Sequence, residues 1–194
     1  MNVSRLNNYK FNKLETNVIK ELIEYSKSKN VESARILKSG KNITDQFLII
    51  EDELKCNLLP ISAKYHCEKV NCKLFDSVKK QMLMKDATYI HYHPKPLPLS
   101  FADVFTCLKL KLNKMIAVTE DGMYSIFIPN HKVENSQIKN LVFANKKLTY
   151  ALELNGGSDY ILNNKYISHV YKTKMNKFWE TFAKDTNSLY ISNI

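Results

Sequence analysis

The sequence predicts an α+β domain, in which a β-sheet is flanked by helices and followed by a helical extension at the C-terminal end. Three patterns lead to this prediction. Apolar residues recur every three or four positions over 13–29, as in an amphipathic helix. Short runs of β-branched and aromatic residues, which are typical of strands, occupy 87–93 and 115–119. Helical periodicity then returns near 136–152 and 168–183.

Length, charge and cysteine content bound the class of protein. The chain has 194 residues, which suits a core over 31–130 with an N-terminal helix over 1–30 and an extension over 131–194. Its formal charge of +10 favours anionic partners, either acidic protein faces or nucleic acid. Four cysteines are too few for a secreted disulfide scaffold and indicate a reducing, cytoplasmic compartment. The sequence has no apolar run of about 18 residues, so we expect no transmembrane helix. It also has no apolar leader, so we expect no ordinary signal peptide, and export by a non-standard route stays open.

The first elements are predicted from periodicity and turn residues. The helix over 13–29 is expected to end at Asn30, a residue that tolerates the left-handed conformation of a helix end. Two strands, 33–38 and 43–50, flank Gly40-Lys41, a turn signal, and this pattern predicts a hairpin.

A second group of elements surrounds a proline-rich loop. Pro94, Pro96 and Pro98 are three of the five prolines in the chain, so this segment is neither a helix nor a central strand. Asp121-Gly122 is a strong hairpin turn signal. The predicted elements are a helix over 72–84, a strand over 87–93, a helix from Ser100, and strands over 115–119 and 123–128.

The segment that carries chemistry begins on the predicted strand over 87–93. His91 and His93 are two residues apart, so their side chains point to the same face and are available to one metal ion. Asp103 lies in the first turn of the next helix, and a rigid loop can return its carboxylate to the end of the strand. Two imidazoles and one carboxylate leave one tetrahedral position open, which is typical of a catalytic zinc site. The alternative is structural, with two packed histidines and a capping box formed by Ser100 and Asp103.

The pattern His91-x-His93-Pro94 followed by Ser100-x-x-Asp103 resembles the motif of the JAMM (MPN+) metalloproteases, HxHP and then SxxD. Six residues, 94–99, separate His93 from Ser100, one fewer than in the family. The segment 115–126 is similar to the strand, turn and strand that follow the motif helix. The resemblance covers roughly residues 30–130 and implies an MPN/JAMM-like (cytidine-deaminase-like) fold, with a mixed β-sheet flanked by helices.

The resemblance also implies a catalytic glutamate near the start of an upstream strand. Glu32 is the best match, because it opens the first strand of the predicted hairpin, 59 positions before His91. Glu51 and Glu53 are rivals, but they lie at the end of the second strand. The alternative for Glu32 is a solvated residue in a connection between helix and strand.

In the family, the two histidines and the aspartate bind Zn²⁺, which here implies His91, His93 and Asp103 as ligands. Glu32 is then the general base for a metal-bound water, and Ser100 donates a hydrogen bond to the developing oxyanion. The implied activity is that of a zinc isopeptidase or peptidase, a deubiquitinase-like hydrolase of ubiquitin or ubiquitin-like protein conjugates. The alternative function is that of a nucleic-acid-associated or scaffold protein with the same fold and a vestigial metal site.

Two cysteine signals carry less weight. His66, Cys67 and Cys72 lie close enough in sequence for a second, structural zinc site, but their spacing is not that of a standard zinc knuckle. Cys107 falls among apolar residues of the motif helix, so we expect it to lie in the core.

Overall fold

A computed structural model of the chain describes residues 9–51, 56–60, 80–130, 132–154 and 165–194. The helices are α1 (Lys13–Lys29), α2 (Phe101–Lys109), α3 (Asn135–Leu154) and α4 (Lys165–Asp185), with a 3₁₀ turn at Thr44–Gln46. The strands are β1 (Ala34–Lys38), β2 (Lys41–Asn42), β3 (Phe47–Glu51), β4 (Cys56–Pro60), β5 (Thr88–His93), β6 (Lys114–Thr119), β7 (Tyr124–Ile128) and β8 (Leu189–Ser192). Among the described residues, no helix is both long and apolar enough to cross a bilayer.

The main sheet is mixed and has six strands in the order β2-β1-β5-β6-β7-β8. Among the described strands of this sheet, only β5 and β6 pair in parallel, with α2 as the crossover between them, and the other pairs are antiparallel. The remaining strands, β3 and β4, form a separate antiparallel pair. The predicted α+β class, with a mixed sheet flanked by helices, is therefore confirmed.

Helices cover both faces of the sheet. On one face, Val18 and Leu22 of α1 pack against Ile90, Ile116 and Ile126, alternate residues of the central strands. On the other face, the intervening residues of the strands pack against the remaining helices; the cluster includes Tyr89, Met115, Phe127, Val104 of α2, Leu141 of α3 and Trp179 of α4. Burial of both faces explains why the central strands are nearly continuous apolar runs.

Local chemistry explains where α1 begins and ends. The Asn12 side chain accepts from the Glu15 N–H, and the Glu15 carboxylate accepts from the Asn12 N–H, so a capping box starts the helix. Asn30 ends it in the left-handed conformation, with φ of 53°. The predicted helix over 13–29 and its end at Asn30 are confirmed.

The predicted pairing of 33–38 with 43–50 is wrong beyond the turn. β1 pairs with only two residues, Lys41–Asn42, and the following strand begins at Phe47 and pairs with β4. Thr44 accounts for the break: its hydroxyl accepts the Ile36 N–H at 2.9 Å, and its own N–H donates to Asn42 Oδ1 at 3.0 Å. These side-chain bonds replace the ladder and turn the chain away from β1.

The C-terminal region is not only helical. Both predicted helices are present, as α3 and α4, but Leu189–Ser192 then forms β8 at the edge of the sheet beside β7. The chain after residue 130 therefore completes the sheet as well as covering it. Of the predicted helix over 72–84, only 80–84 falls among the described residues, and it is helical.

Candidate metal centre

His91 and His93 project from β5 toward the sheet face that α2 covers. They share this face with Tyr89, because alternate residues of a strand point the same way. The Nε2 atoms of the two histidines are 2.8 Å apart, and His91 is only 1% exposed. Because β5 pairs with a strand on each side, the backbone that carries both imidazoles is held firmly.

Glu32 precedes β1 and reaches the histidines through the pairing of β1 with β5. Ala34 lies opposite His91, and the Ser33 carbonyl accepts a 2.9 Å hydrogen bond from the Tyr92 N–H. The same register places Glu32 opposite His93, and directly opposed residues of an antiparallel pair share a face. The ligand atoms of Glu32, His91 and His93 all lie within 4.8 Å of one another.

Asp103 approaches the same histidines from the first turn of α2. Its Oδ1 is 3.4 Å from His91 Nε2, and its Oδ2 is 3.7 Å from His93 Nε2. Because α2 follows β5 as a crossover, the helix begins beside the C-terminal end of that strand. Glu32, which precedes β1, the two histidines of β5 and Asp103 of α2 therefore meet at one place.

Ser100 is the N-cap of α2 and is bonded to Asp103. Its hydroxyl donates to Asp103 Oδ2 at 2.7 Å and accepts from the Asp103 N–H at 3.2 Å, while the Ser100 N–H also donates to Oδ2 at 2.7 Å. The capping box predicted as the structural alternative is thus present, and it is compatible with a ligand role for Asp103. With its hydrogen on Asp103, the Ser100 hydroxyl must rotate before it can donate to a substrate oxygen.

Leu97, which no sequence pattern marks, also belongs to the site. The His93 Nδ1–H donates to the Leu97 carbonyl at 2.8 Å. This bond fixes the tautomer of neutral His93, because the proton on Nδ1 leaves the lone pair on Nε2. A backbone carbonyl in this position is a recurrent partner of metal-binding histidines. A carbonyl carries no sequence signature; the only available signal was the rigid proline loop that contains it.

Burial and charge set the protonation states of the three groups that the predicted metal would contact. Burial, the largest effect, lowers the pKa of His91, but Asp103 and Glu32 outweigh it and the net shift is upward from 6.5. Burial and the charge of His91 lower the pKa of His93 to about 4. Burial alone would raise the pKa of Asp103, yet the two imidazoles and Ser100 lower it well below its usual range. These shifts favour the protonated form of His91, the neutral form of His93 and the ionised form of Asp103.

Glu32 is a carboxyl with a raised pKa. Burial raises its pKa from 4.5 to about 7, and the charge of Asp103 adds to the shift, while His91 opposes it. Among the described residues, none donates a hydrogen bond to the Glu32 carboxylate. A carboxyl that titrates near neutrality beside two imidazoles is suited to accepting and releasing a proton.

The donor set fits a divalent transition metal. Two imidazole nitrogens and a carboxylate oxygen are ordinary ligands of Zn²⁺, with bonds of roughly 2.0–2.1 Å, so ligand atoms of a tetrahedral site are about 3.3 Å apart. The separations here are 2.8, 3.4 and 3.7 Å, and side-chain adjustments of about half an ångström bring them to that value. Zn²⁺ binds neutral imidazoles, so at His91, whose pKa is raised, the metal would compete with a proton.

Other candidate residues fall into three groups. Glu51 ends β3 in the separate strand pair, opposite Cys56. Cys107 is buried in the core as predicted, and burial raises the pKa of its thiol. The remaining residues that the sequence singled out lie outside the described part of the chain: Glu53, His66, Cys67 and Cys72.

Tyr171 of α4 is a further neighbour of the site. It is partly buried against the core cluster that contains Phe101. Burial, and then the charge of Asp103, raises the pKa of its phenol.

The chain matches no model of a known protein family and no curated protein.

Proposed function

We propose that the protein is a zinc-dependent isopeptidase or peptidase of the JAMM type, with an MPN/JAMM-like core, and that it hydrolyses ubiquitin or ubiquitin-like protein conjugates. One observation carries the proposal. Glu32, His91 and His93 present ligand atoms within 4.8 Å of one another, and Asp103 approaches both imidazoles from α2. The arrangement joins a ligand set for zinc to a carboxyl that titrates near neutrality.

His91, His93 and Asp103 would hold the metal. Zn²⁺ bound there supplies a Lewis acid for the scissile carbonyl and a water of lowered pKa. Glu32 is the residue placed to accept the proton of the attacking water and to return it to the leaving amine. Burial raises the pKa of this carboxyl in the metal-free protein, and bound Zn²⁺ would lower it again, so the ionised form that accepts the proton is favoured when the metal is present.

Ser100 supports the same reaction in one of two ways. In its present orientation it holds Asp103 through the capping box and keeps that carboxylate turned toward the histidines. If the hydroxyl rotates, it becomes a donor for the oxyanion that forms when the carbonyl is attacked. The first role, which is to hold Asp103, requires only the hydrogen bonds described above. In the second role the hydroxyl would also stabilise the oxyanion directly.

The proposed substrate class follows from the resemblance to the JAMM motif. In that family the leaving group is often the ε-amine of a lysine in an isopeptide bond to ubiquitin or a ubiquitin-like tail. Hydrolysis releases this amine, which must be protonated to leave, and Glu32 is the proton donor that the site offers.

The test combines metal content with cleavage. The purified protein is expected to bind one equivalent of Zn²⁺ and to cleave at least one member of a panel of ubiquitin-like fusions and chains. Cleavage should stop with a chelator and return when Zn²⁺ is added. Glu32→Gln should keep the metal and lose about 10²–10⁴-fold in turnover. Glu120→Gln is the matched control, because Glu120 forms an exposed ion pair with Lys27 and should leave cleavage unchanged. Absence of stoichiometric zinc, or full activity of Glu32→Gln, refutes the proposal.

The second candidate is a nucleic-acid-associated scaffold, and the charge of +10 is the observation that favours it. Binding of this kind displaces counterions, so it should weaken steeply as the salt concentration rises. Salt-dependent binding of DNA or RNA, together with no cleavage of any conjugate in the panel, would select this function over the first.

A further inference from the structure

The loop between β5 and α2 is bonded to both ends of the candidate metal centre. The Leu97 carbonyl accepts from His93 Nδ1, and Ser100, at the other end of the loop, bonds to Asp103 through its N–H and its hydroxyl. A shift of this short segment would therefore change the orientation of His93 and the hydrogen bonds to Asp103 at the same time.

Leu99, which lies between Leu97 and Ser100 in the loop, forms backbone hydrogen bonds to two other elements. Its N–H donates to Ser125 Oγ of β7 at 2.9 Å, and its carbonyl accepts from Trp179 Nε1 of α4 at 2.7 Å. Leu99, Ser125 and Trp179 are all 0% exposed, so water does not compete for either bond. Hydrogen bonds in such surroundings are strong, and loss of either partner leaves a buried polar group unsatisfied.

We propose that Trp179 is a positioning residue of the metal centre: together with Ser125 it fixes the backbone of Leu99, and so aligns the Leu97 carbonyl with His93 and Ser100 with Asp103. α4 is then part of the site rather than an appendage to it. The role of this alignment in metal binding rests on the proposed metalloprotease function, whereas the hydrogen bonds themselves are present in the metal-free protein.

Packing alone does not account for Trp179. Its ring lies against Phe101, Phe178 and Phe182, with centroids 5.0, 5.0 and 6.0 Å away. Another aromatic ring could fill this space, whereas only the indole N–H reaches the Leu99 carbonyl. The hydrogen bond, and not the ring, is therefore the feature that links α4 to the loop.

Two variants remove the two bonds separately. Trp179→Phe keeps an aromatic ring and deletes the indole N–H, and Ser125→Ala deletes the acceptor of the Leu99 N–H. Phe182→Leu is the matched control, because Phe182 packs against Trp179 and Phe127 but its side chain makes no hydrogen bond. Unfolding by urea identifies how much each variant is destabilised and shows whether Trp179→Phe remains folded.

Two readouts separate positioning from general stability. The first is the ¹H–¹⁵N correlation of the histidine rings in metal-free protein near pH 7, in which His93 is expected as the Nδ1–H tautomer. The second is the affinity for Zn²⁺, measured by competition with a chelating dye. Trp179→Phe and Ser125→Ala should each produce a mixture of His93 tautomers and weaken Zn²⁺ binding about tenfold, the lower end of the range for residues that orient a ligand. Phe182→Leu should change neither quantity.

The outcomes are distinguishable from a failure of the proposed function. If the wild type binds no Zn²⁺ but both variants still disturb the His93 tautomer, the metalloprotease proposal fails and the positioning role stands. If both variants keep the wild-type tautomer, or if Phe182→Leu disturbs it equally, the positioning role is refuted. Should Trp179→Phe fail to fold, Ser125→Ala decides the question by the same criteria.

Discussion

Replacement of Glu32 by glutamine should stabilise the metal-free protein above neutral pH while it removes activity. The glutamine is nearly the same size as the carboxyl and cannot ionise. In the wild type, burial raises the pKa of Glu32 from 4.5 to about 7, so the fold disfavours the ionised form relative to the unfolded chain. A neutral side chain at this position avoids that cost.

The sign of the effect fixes its pH window. Below pH 4.5 the carboxyl is protonated in both the folded and the unfolded state, so the free energy of unfolding carries no penalty from Glu32. As the pH rises through 4.5 toward about 7, the unfolded chain loses its proton first, and the penalty grows to a plateau above about 7. A displacement from 4.5 to about 7 corresponds to at most about 3 kcal/mol, and solvent at this partly exposed side chain reduces the expected gain to roughly 1–2 kcal/mol.

The assay is urea unfolding of wild type and Glu32→Gln in the presence of a chelator, from pH 4 to pH 9. The two free energies of unfolding should agree near pH 4 and separate by roughly 1–2 kcal/mol at pH 8.5, with the variant more stable. With Zn²⁺ bound, the metal charge lowers the pKa of the neighbouring carboxyl, so the gain should shrink. Equal stability at pH 8.5, or the same difference at every pH, would refute the assignment of a buried, destabilised carboxyl at Glu32.

Three further predictions concern the ligands and the cap of α2. Asp103→Asn should keep the helix cap but weaken Zn²⁺ binding, because it replaces an anionic ligand by a neutral amide; dialysis against Zn²⁺ and metal analysis check this. Since the pKa of His91 is raised, and Zn²⁺ must displace its proton, the apparent affinity of the wild type should fall roughly tenfold for each pH unit below that pKa, as chelator competition across pH would show. Ser100→Ala should lower the free energy of unfolding by about 1 kcal/mol through loss of the N-cap. If the Ser100 hydroxyl also serves the oxyanion, turnover of that variant falls by about 10²–10³, whereas a purely positioning role predicts a weaker affinity for Zn²⁺ instead.

The elements around the site could be predicted from the sequence because their signals are local. The capping pattern at Ser100 and Asp103, the turn at Gly122 with φ of 73°, and the alternation that places His91 and His93 on one face all act within a few residues. The gathering of Glu32 with the histidines depends on strand pairing across a long stretch of sequence. Only the resemblance to a known motif predicted it, and the register of β1 against β5 explains how the chain achieves it.

Pairings and backbone contacts between distant segments were missed for the opposite reason. The strand at Leu189–Ser192 has four residues, too few for a clear alternation, and its place beside β7 is set by tertiary packing. β3 pairs with β4 rather than with β1, and the side-chain bonds of Thr44 lie where the chain leaves β1. Leu97 and Leu99 contribute backbone groups, and a backbone carbonyl or amide leaves no trace in the identity of its residue.

Glu32 is the residue that separates the two candidate functions. Asp103 is explained by the helix cap alone, since the capping box would stabilise α2 in a scaffold with no metal. His93 is likewise satisfied by its bonds to His91 and to the Leu97 carbonyl. Glu32 has no such explanation: burial disfavours its charge, the charge of His91 offsets only part of that cost, and none of the described residues donates a hydrogen bond to it. In a scaffold, replacement of this carboxyl would improve stability at no cost to function. Its presence beside two imidazoles instead fits the exchange of stability for activity that is common at catalytic sites.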